Sequence, residues 1–202
     1  MVVVNGTEGE PTRAKDALLL TRAPHLVLDG AVLAAAAIGA SEIHVTAHAH
    51  ALPVLAAALR ERRERADIHL TARATGYVAG EETAVLAHLE GRPALPRLTP
   101  PLPAQRGYRR RPTLVQNVET VAHMALIARH GADWFRSAGT LERRGKMLAT
   151  VSAAVRAPGV YEVEPGIPFE RLLGVARGAR EPAQAWSWRS ASRRVRSRRS
   201  PA

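Results

Sequence analysis

The sequence predicts an α/β fold, a parallel sheet with crossover helices followed by a small second unit, and three observations predict it. Short β-branched runs, "MVVV", "EIHV" and "DIHLTA", alternate with longer stretches of helical apolar spacing, the pattern of a parallel sheet wrapped by helices. Beyond Lys146 the order changes to two strand-like runs and one short helix. The chain has 202 residues, 46% of them apolar, enough for one ordinary core and a small appended one.

Each element follows from its local pattern. Met1–Val4 is a short apolar strand, closed by the acidic loop "NGTEGEP", Asn5 to Pro11. Helical spacing runs through "KDALLLTRAPHLVLDGAVLAAAAIGA", and Pro24 opens a second helix there because its fixed φ suits a first turn. "EIHV" is the second strand, "LPVLAAALRERRERA" an amphipathic helix with its arginines on the wet face, and "DIHLTA" the third strand. "GYVAGEETAVLAHLEG" reads as a strand ending at Val78 and a helix opened by Glu81, Glu82 and Thr83, where acids complement the dipole. Arg92 to Pro112 is too polar and proline-rich for regular structure, and long ordered loops of this kind are often functional. A helix spans Gln116 to His130. "MLATVSAAV" and "GVYEVE" are strands joined through Pro158-Gly159, and "PFERLLGV" is a short helix. The expected division is 1–140 for the α/β core, 146–176 for the second domain and 177–202 for a basic, disordered tail without periodicity.

Composition removes several classes of function. With no cysteine, the chain alone can hold no disulfide, thiolate zinc site or iron-sulfur cluster. No apolar run approaches the roughly 18 residues of a membrane helix and no signal-like pattern opens the chain. A cytoplasmic location without direct membrane insertion is therefore expected. The net charge of +11 is concentrated in residues 177–202, where eight arginines face Glu181 alone. The body of the chain is only mildly basic, so nucleic acid is not an expected partner.

Four local features could carry chemistry. The acidic loop follows a strand, and open parallel sheets bind ligands beyond the carboxyl ends of their strands; a solvated turn fits the same residues. "GYVAGEETA" places Gly80, which permits close backbone approach, before Glu81 and Glu82; a capped helix fits it equally. In "PTLVQNVETV", Gln116 and Asn117 stand at a helix N-terminus, able either to hold a phosphate or to cap. "HVTAHAH" sets His44, His48 and His50 near a strand end, but no carboxylate follows at a fixed metal-ligand spacing, and a polar loop is the preferred reading.

Taken together, "NGTEGEP...KD...PHLVLDG", "GYVAGEETA...LEG...PRLTPPLP" and "PTLVQNVETVAH...GADWF" resemble, in order and spacing, the flavoprotein subunit of respiratory NADH:quinone oxidoreductase (complex I) and of related NAD-linked hydrogenases and formate dehydrogenases. The resemblance covers about residues 1 to 175, a middle portion of that family's chain, and implies an FMN-binding α/β core truncated at both ends. "GVYEVEPGIPFERLL" looks like part of the family's small β-grasp (soluble-ligand-binding) domain. By resemblance, FMN accepts hydride from NADH and passes electrons to iron-sulfur partner subunits, which place the assembly peripherally at the inner face of the cell membrane. Carried over by position, Asn5, Thr7 and Glu8 belong to the first flavin loop and Glu10 lies near the nicotinamide. Tyr77, Gly80, Glu81 and Glu82 belong to the second loop, and Gln116 and Asn117 to the ribityl-phosphate end.

The chain also departs from the family pattern. Thr7 stands where an aspartate is usual, Ala79 where a cysteine is usual, and Thr99 and Leu102 where a lysine and a phenylalanine flank the adenosine. Loss of an aromatic platform costs about 1 to 3 kcal/mol, so the resemblance implies FMN more directly than NAD. The family's glycine-rich flavin loop and its [4Fe-4S] cysteines have no counterpart in this sequence. A catalytically inactive flavin- or partner-binding module is the alternative reading.

After "REPAQA" the family continues with an apolar, glycine-containing strand, whereas this chain turns to "WSWRSASRRVRSRRSPA". We read this as a change of reading frame near Gln184; a selected basic arm is the competing account. The frame account predicts that the same DNA, read in another frame after about codon 184, encodes the missing strand and a later cysteine cluster. Early stops in both other frames would refute it.

Overall fold

The computed structural model describes residues 1–10, 12–63 and 66–179. The expected tail beyond Ala179, with the proposed frame change, lies outside them. Six strands and eight helices follow in order: β1 (Val2–Asn5), α1 (Lys15–Arg22), α2 (Pro24–Ile38), β2 (Glu42–Ala47), α3 (Leu52–Glu61), β3 (Asp67–Ala72), α4 (Glu82–Leu89), α5 (Pro103–Arg106), β4 (Leu114–Asn117), α6 (Val118–His130), α7 (Ala132–Arg136), β5 (Met147–Val151), β6 (Gly159–Val163) and α8 (Phe169–Val175).

The first four strands form one parallel sheet in the order β3-β2-β1-β4. Successive crossovers carry the chain outward from β1 to β2 and β3, and the next returns it to the other side of β1. The topology therefore reverses between β1 and β4, the kind of switch point at which open α/β sheets bind ligands. One face presents Val2, Val4, Ile43 and Val45 to Leu20, Val27, Leu28, Leu55, Val118 and Val121 of the helices. The other face packs Val3 against Val85, Leu86 and Tyr108. Residues 2–4 of β1 are buried on both faces, which explains an apolar run instead of an alternating one.

Pro24 separates α1 from α2 as the sequence predicts, with a bend of 97° between the two axes. Among the described residues no single helix is long and apolar enough to cross a membrane. α2 packs on α6 through Gly30, where a Cβ would collide with the carbonyl oxygen of Val121.

The structure corrects several boundaries. Gln116 does not begin a helix: Leu114–Asn117 pairs with β1, and α6 starts only at Val118 with Asn117 as its N-cap. A four-residue strand running straight into a helix leaves too little period-two pattern to read. Val78 ends no strand, because Tyr77–Gly80 is a 3-10 turn entered from Gly76 at φ 119°. The irregular stretch contains α5 and a 3-10 turn, Tyr108–Arg110, that buries Tyr108. α3 stops at Glu61, and the first strand of the second unit stops at Val151.

In that unit β5 and β6 form an antiparallel hairpin, and Val151, Val155 and Ala176 make a small core with Tyr161, Leu172 and Leu173. It is tied to helices α6 and α1 of the main unit by Leu148 N–H donating to Glu119 Oε1 at 2.6 Å and Ala14 N–H donating to Thr150 Oγ1 at 3.3 Å.

Gly30→Ala should destabilise the protein by about 1 to 3 kcal/mol, because the α2–α6 spacing must open to admit one methyl group. Gly174→Ala, in α8 with open space at its Cβ position, should not destabilise. Denaturant midpoints of the two variants check the contrast.

Candidate functional site

The three loops singled out in the sequence meet at the carboxyl edge of β1 and β4. Asn5 and Asn117 are register partners across the switch point. Asn5 Nδ2 donates to Gly80 O at 2.9 Å, and its Oδ1 accepts from Thr7 N–H at 3.0 Å. The first and second loops touch backbone to backbone: a Cβ on Gly80 would lie 2.6 Å from Thr7 O, and one on Gly9 would strike Tyr77 O. Glycine is required here by close approach. Thr7 is buried with its hydroxyl 3.3 Å from Thr46 Oγ1.

Several expected site carboxylates are engaged in shaping the loops. The N-cap of α1 is Ala14, which offers no acceptor. Glu8 supplies it from a distance, accepting from Asp16 N–H at 3.1 Å and Ala17 N–H at 3.3 Å. Glu81 caps α4 through the N–H groups of Thr83 and Ala84, and Asn117 caps α6 through Glu119 N–H at 3.0 Å. Caps of this kind contribute about 1 kcal/mol each. Glu10 pairs with Arg13 at the surface. Tyr77 is 74% exposed, and Glu82, in the first turn of α4, is also exposed. Gln116 is half-buried on β4, beside Asn117 in the chain and opposite Val4.

Beneath these loops lies a group to which sequence patterns alone assign no role. Asp16 is 2% exposed. Lys15 Nζ reaches Asp16 Oδ1 at 2.7 Å, Asn117 Oδ1 at 2.8 Å and Glu119 Oε2 at 3.1 Å. Asn117 Nδ2 donates to Asp16 Oδ2 at 2.7 Å. Burial raises the pKa of Asp16 above the ordinary carboxylate value, against the pull of Lys15 and Asn117. Burial alone would lower the pKa of Lys15, but Asp16 and Glu119 reverse that and leave it raised. In the sequence this pair stood as the "KD" of the resemblance motif, with no role attached, and as an acid beside an apolar helical run, "DALLL".

The three histidines of "HVTAHAH" do not converge. His44 is buried within β2. His48 Nδ1 accepts from Arg73 Nε–H at 2.9 Å, and burial and that cation lower its pKa. His50 is exposed, its ring 5.4 Å from that of His48.

A parallel sheet of this order, with amide, acidic and glycine loops gathered at its switch point, defines an α/β ligand-binding domain of the doubly wound type. Residues 1–126 match the Nuo51 FMN-binding domain of the Complex1_51K family, and the chain belongs to that family. It is 40% identical over 197 residues to NAD-reducing hydrogenase HoxS subunit alpha of Cupriavidus necator, covering 89% of this chain and 33% of that protein. It is 38% identical over 203 residues to a subunit of the NADH-quinone oxidoreductase of Streptomyces coelicolor, covering 93% of this chain and 45% of that one. A crystal structure of NAD+-reducing [NiFe]-hydrogenase in the air-oxidized state superposes with a TM-score of 0.83 at 41% identity, over 88% of this chain and 32% of the other. The chain thus spans between a third and a half of the length of these relatives.

Lys15→Met should destabilise the fold by about 3 kcal/mol, since it leaves Asp16 buried without its cation. The value sits at the low end of the buried-pair range because a fifth of the Lys15 side chain is exposed. Adding Asp16→Asn should recover part of the loss. A double-mutant cycle in denaturant measures the coupling, and additivity of the two losses would show that the pair does not act as one unit.

Proposed function

We propose that this chain is the FMN-binding part of an NADH dehydrogenase flavoprotein subunit, holding FMN in the crevice between β1 and β4. The observation that supports it most is the convergence of Asn5, Gly80 and Asn117 at the switch point, inside the region matched by the family. Bound FMN would supply the acceptor for hydride from NADH and release electrons to iron-sulfur partner subunits. The residues present fit the ring and ribityl portions: Gly80 lies flush against the first loop, and Tyr77 and Glu82 offer exposed polar groups on either side of it in the chain. At the phosphate end the fit relies on the Gln116 amide and on first-turn N–H groups of α6 other than that of Glu119, because Lys15 is committed to Asp16 and Glu119 and the Asn117 side chain to Lys15, Asp16 and the Glu119 N–H.

In this reading Tyr77, Glu82 and Gln116 contact the flavin or nicotinamide directly. Asn5, Thr7, Glu8, Gly80, Glu81 and Asn117 hold the walls in place, and Glu10 lies at the nicotinamide rim. NADH enters along the second loop and the proline-rich stretch, where Thr99 and Leu102 make a weak adenosine clamp. We further propose that residues 1–140 are the FMN core and that the β5–β6 hairpin with α8, within 146–176, is part of a β-grasp domain. Its location is cytoplasmic, attached to a membrane only through partners.

The test is titration of the purified chain with FMN, followed by quenching of flavin fluorescence. Saturable binding is expected, weakened by about 1 to 3 kcal/mol in Glu82→Ala through loss of one polar partner. Unchanged affinity in that variant would place the pocket elsewhere. NADH:dye reduction by the FMN-loaded chain distinguishes an enzyme fragment from a catalytically inactive module. A rate far below that of an enzyme is expected, because positioning of the reacting atoms supplies about 7 to 11 kcal/mol of such barriers.

A further inference from the structure

We propose that the outer half of the sheet's second face is a binding site for a divalent transition-metal cation, formed by Glu42, His44 and His69, with Asp67 orienting His69. The parallel register sets Glu42 opposite Asp67 and His44 opposite His69 on adjacent strands. Side chains alternate faces with period two, so all four fall on the face that carries Val3. One ligand atom from each of Glu42, His44 and His69 lies within 4.8 Å of the others. Tetrahedral zinc with bonds of about 2.0 to 2.2 Å needs its ligand atoms about 3.3 Å apart. A bound ion would open the 2.7 Å gap between His44 Nε2 and Glu42 Oε1 and draw the more distant ligand atoms inward.

The individual contacts point the same way. His44 Nε2 is 2.7 Å from Glu42 Oε1, so one proton already lies between a nitrogen and an oxygen ligand. A cation would take its place, with the single ring proton of neutral His44 moving from Nε2 to Nδ1. His44 is 7% exposed, and its Nδ1 is buried with no hydrogen-bond partner among the described residues. Its ring packs on that of buried Tyr108, with centroids 5.1 Å apart, which leaves Nε2 turned toward Glu42. Its ring centroid is 4.8 Å from that of His69, whose side chain is 48% exposed and provides the route in from solvent. His69 Nε2 lies 3.1 Å from Asp67 Oδ1, the carboxylate–imidazole arrangement that fixes the orientation of metal-binding histidines. Two imidazoles and a carboxylate suit zinc, copper or nickel better than magnesium or calcium, which prefer oxygen alone. The group sits at the starts of β2 and β3, the opposite edge of the sheet from the flavin loops, so it stands or falls independently of the flavin reading.

The experiment uses the untagged full chain, stripped of metal and titrated with Zn2+ against a chromophoric chelator, with Co2+ absorption as a second probe of coordination. One equivalent bound at micromolar affinity is expected. His69→Ala and Glu42→Gln should each weaken it by at least about tenfold, and circular dichroism of each variant confirms folding. His48→Ala/His50→Ala should leave it unchanged. Absence of Zn2+ binding, binding that persists in both His69→Ala and Glu42→Gln, or binding lost in the His48/His50 variant would each overturn the proposal.

Discussion

The structure depends first on β1 being paired on both edges and buried on both faces. Val2, Val3 and Val4 have no exposed surface, and their backbone groups pair with β2 on one side and β4 on the other. A strand so placed cannot slip by one residue without moving its valines to the wrong faces. Its register therefore fixes Asn5 at the sheet's carboxyl edge, and through β4 it fixes Asn117 at the same height. Every loop of the candidate site is measured from those two asparagines.

Two kinds of contact carry that order into the loops. Glycine lets backbone meet backbone where Gly80 lies against Thr7 and Gly9 against Tyr77, so the first and second loops form one continuous wall. Beneath the wall, Lys15, Asp16, Asn117 and Glu119 connect α1 to β4 and α6. Glu119 extends the connection to the hairpin through Leu148. The desolvation of Asp16 is offset only while Lys15 and Asn117 stay in place, which couples the position of α1 to the end of β4.

What was legible in the sequence was what local pattern encodes. "MVVV", "EIHV" and "DIHLTA" alternate with helical spacing and emerged as parallel strands, and Pro24 broke the helix where proline must. β4 was hidden because "LVQN" merges into a helix and acts as a strand only by adding to β1. Tyr108 likewise became core through a turn that no periodicity announces. At the site, the glycines and asparagines were recognisable as a motif, but Lys15 and Asp16 were not readable as its support. Their partners lie about 100 residues downstream, and burial is a property of the assembled fold. The same applies to His44: nearby histidines in the chain drew attention, whereas its neighbour in space is His69, one strand away.

The division of labour within the site bears on how function can be inferred for such a chain. Glu8, Glu81 and Asn117 have their side chains engaged in helix caps, and Gly80 is required for packing. Selection for folding alone would keep these residues, because each lost cap costs about 1 kcal/mol whether or not a flavin is bound. Their presence therefore does not separate an active flavoenzyme from an inactive descendant. The residues that could separate them have no such structural role: Tyr77, Glu82, Thr99 and Leu102, all exposed. By the resemblance read from the sequence, Tyr77 and Glu82 keep the family pattern, whereas Thr99 and Leu102 depart from it at the adenosine end. On the proposed reading, departures fall at both ends of the site, Thr7 and Ala79 in the flavin loops and Thr99 and Leu102 at the adenosine end, so FMN binding and NADH binding are separate properties of this chain and each is decided by its own titration.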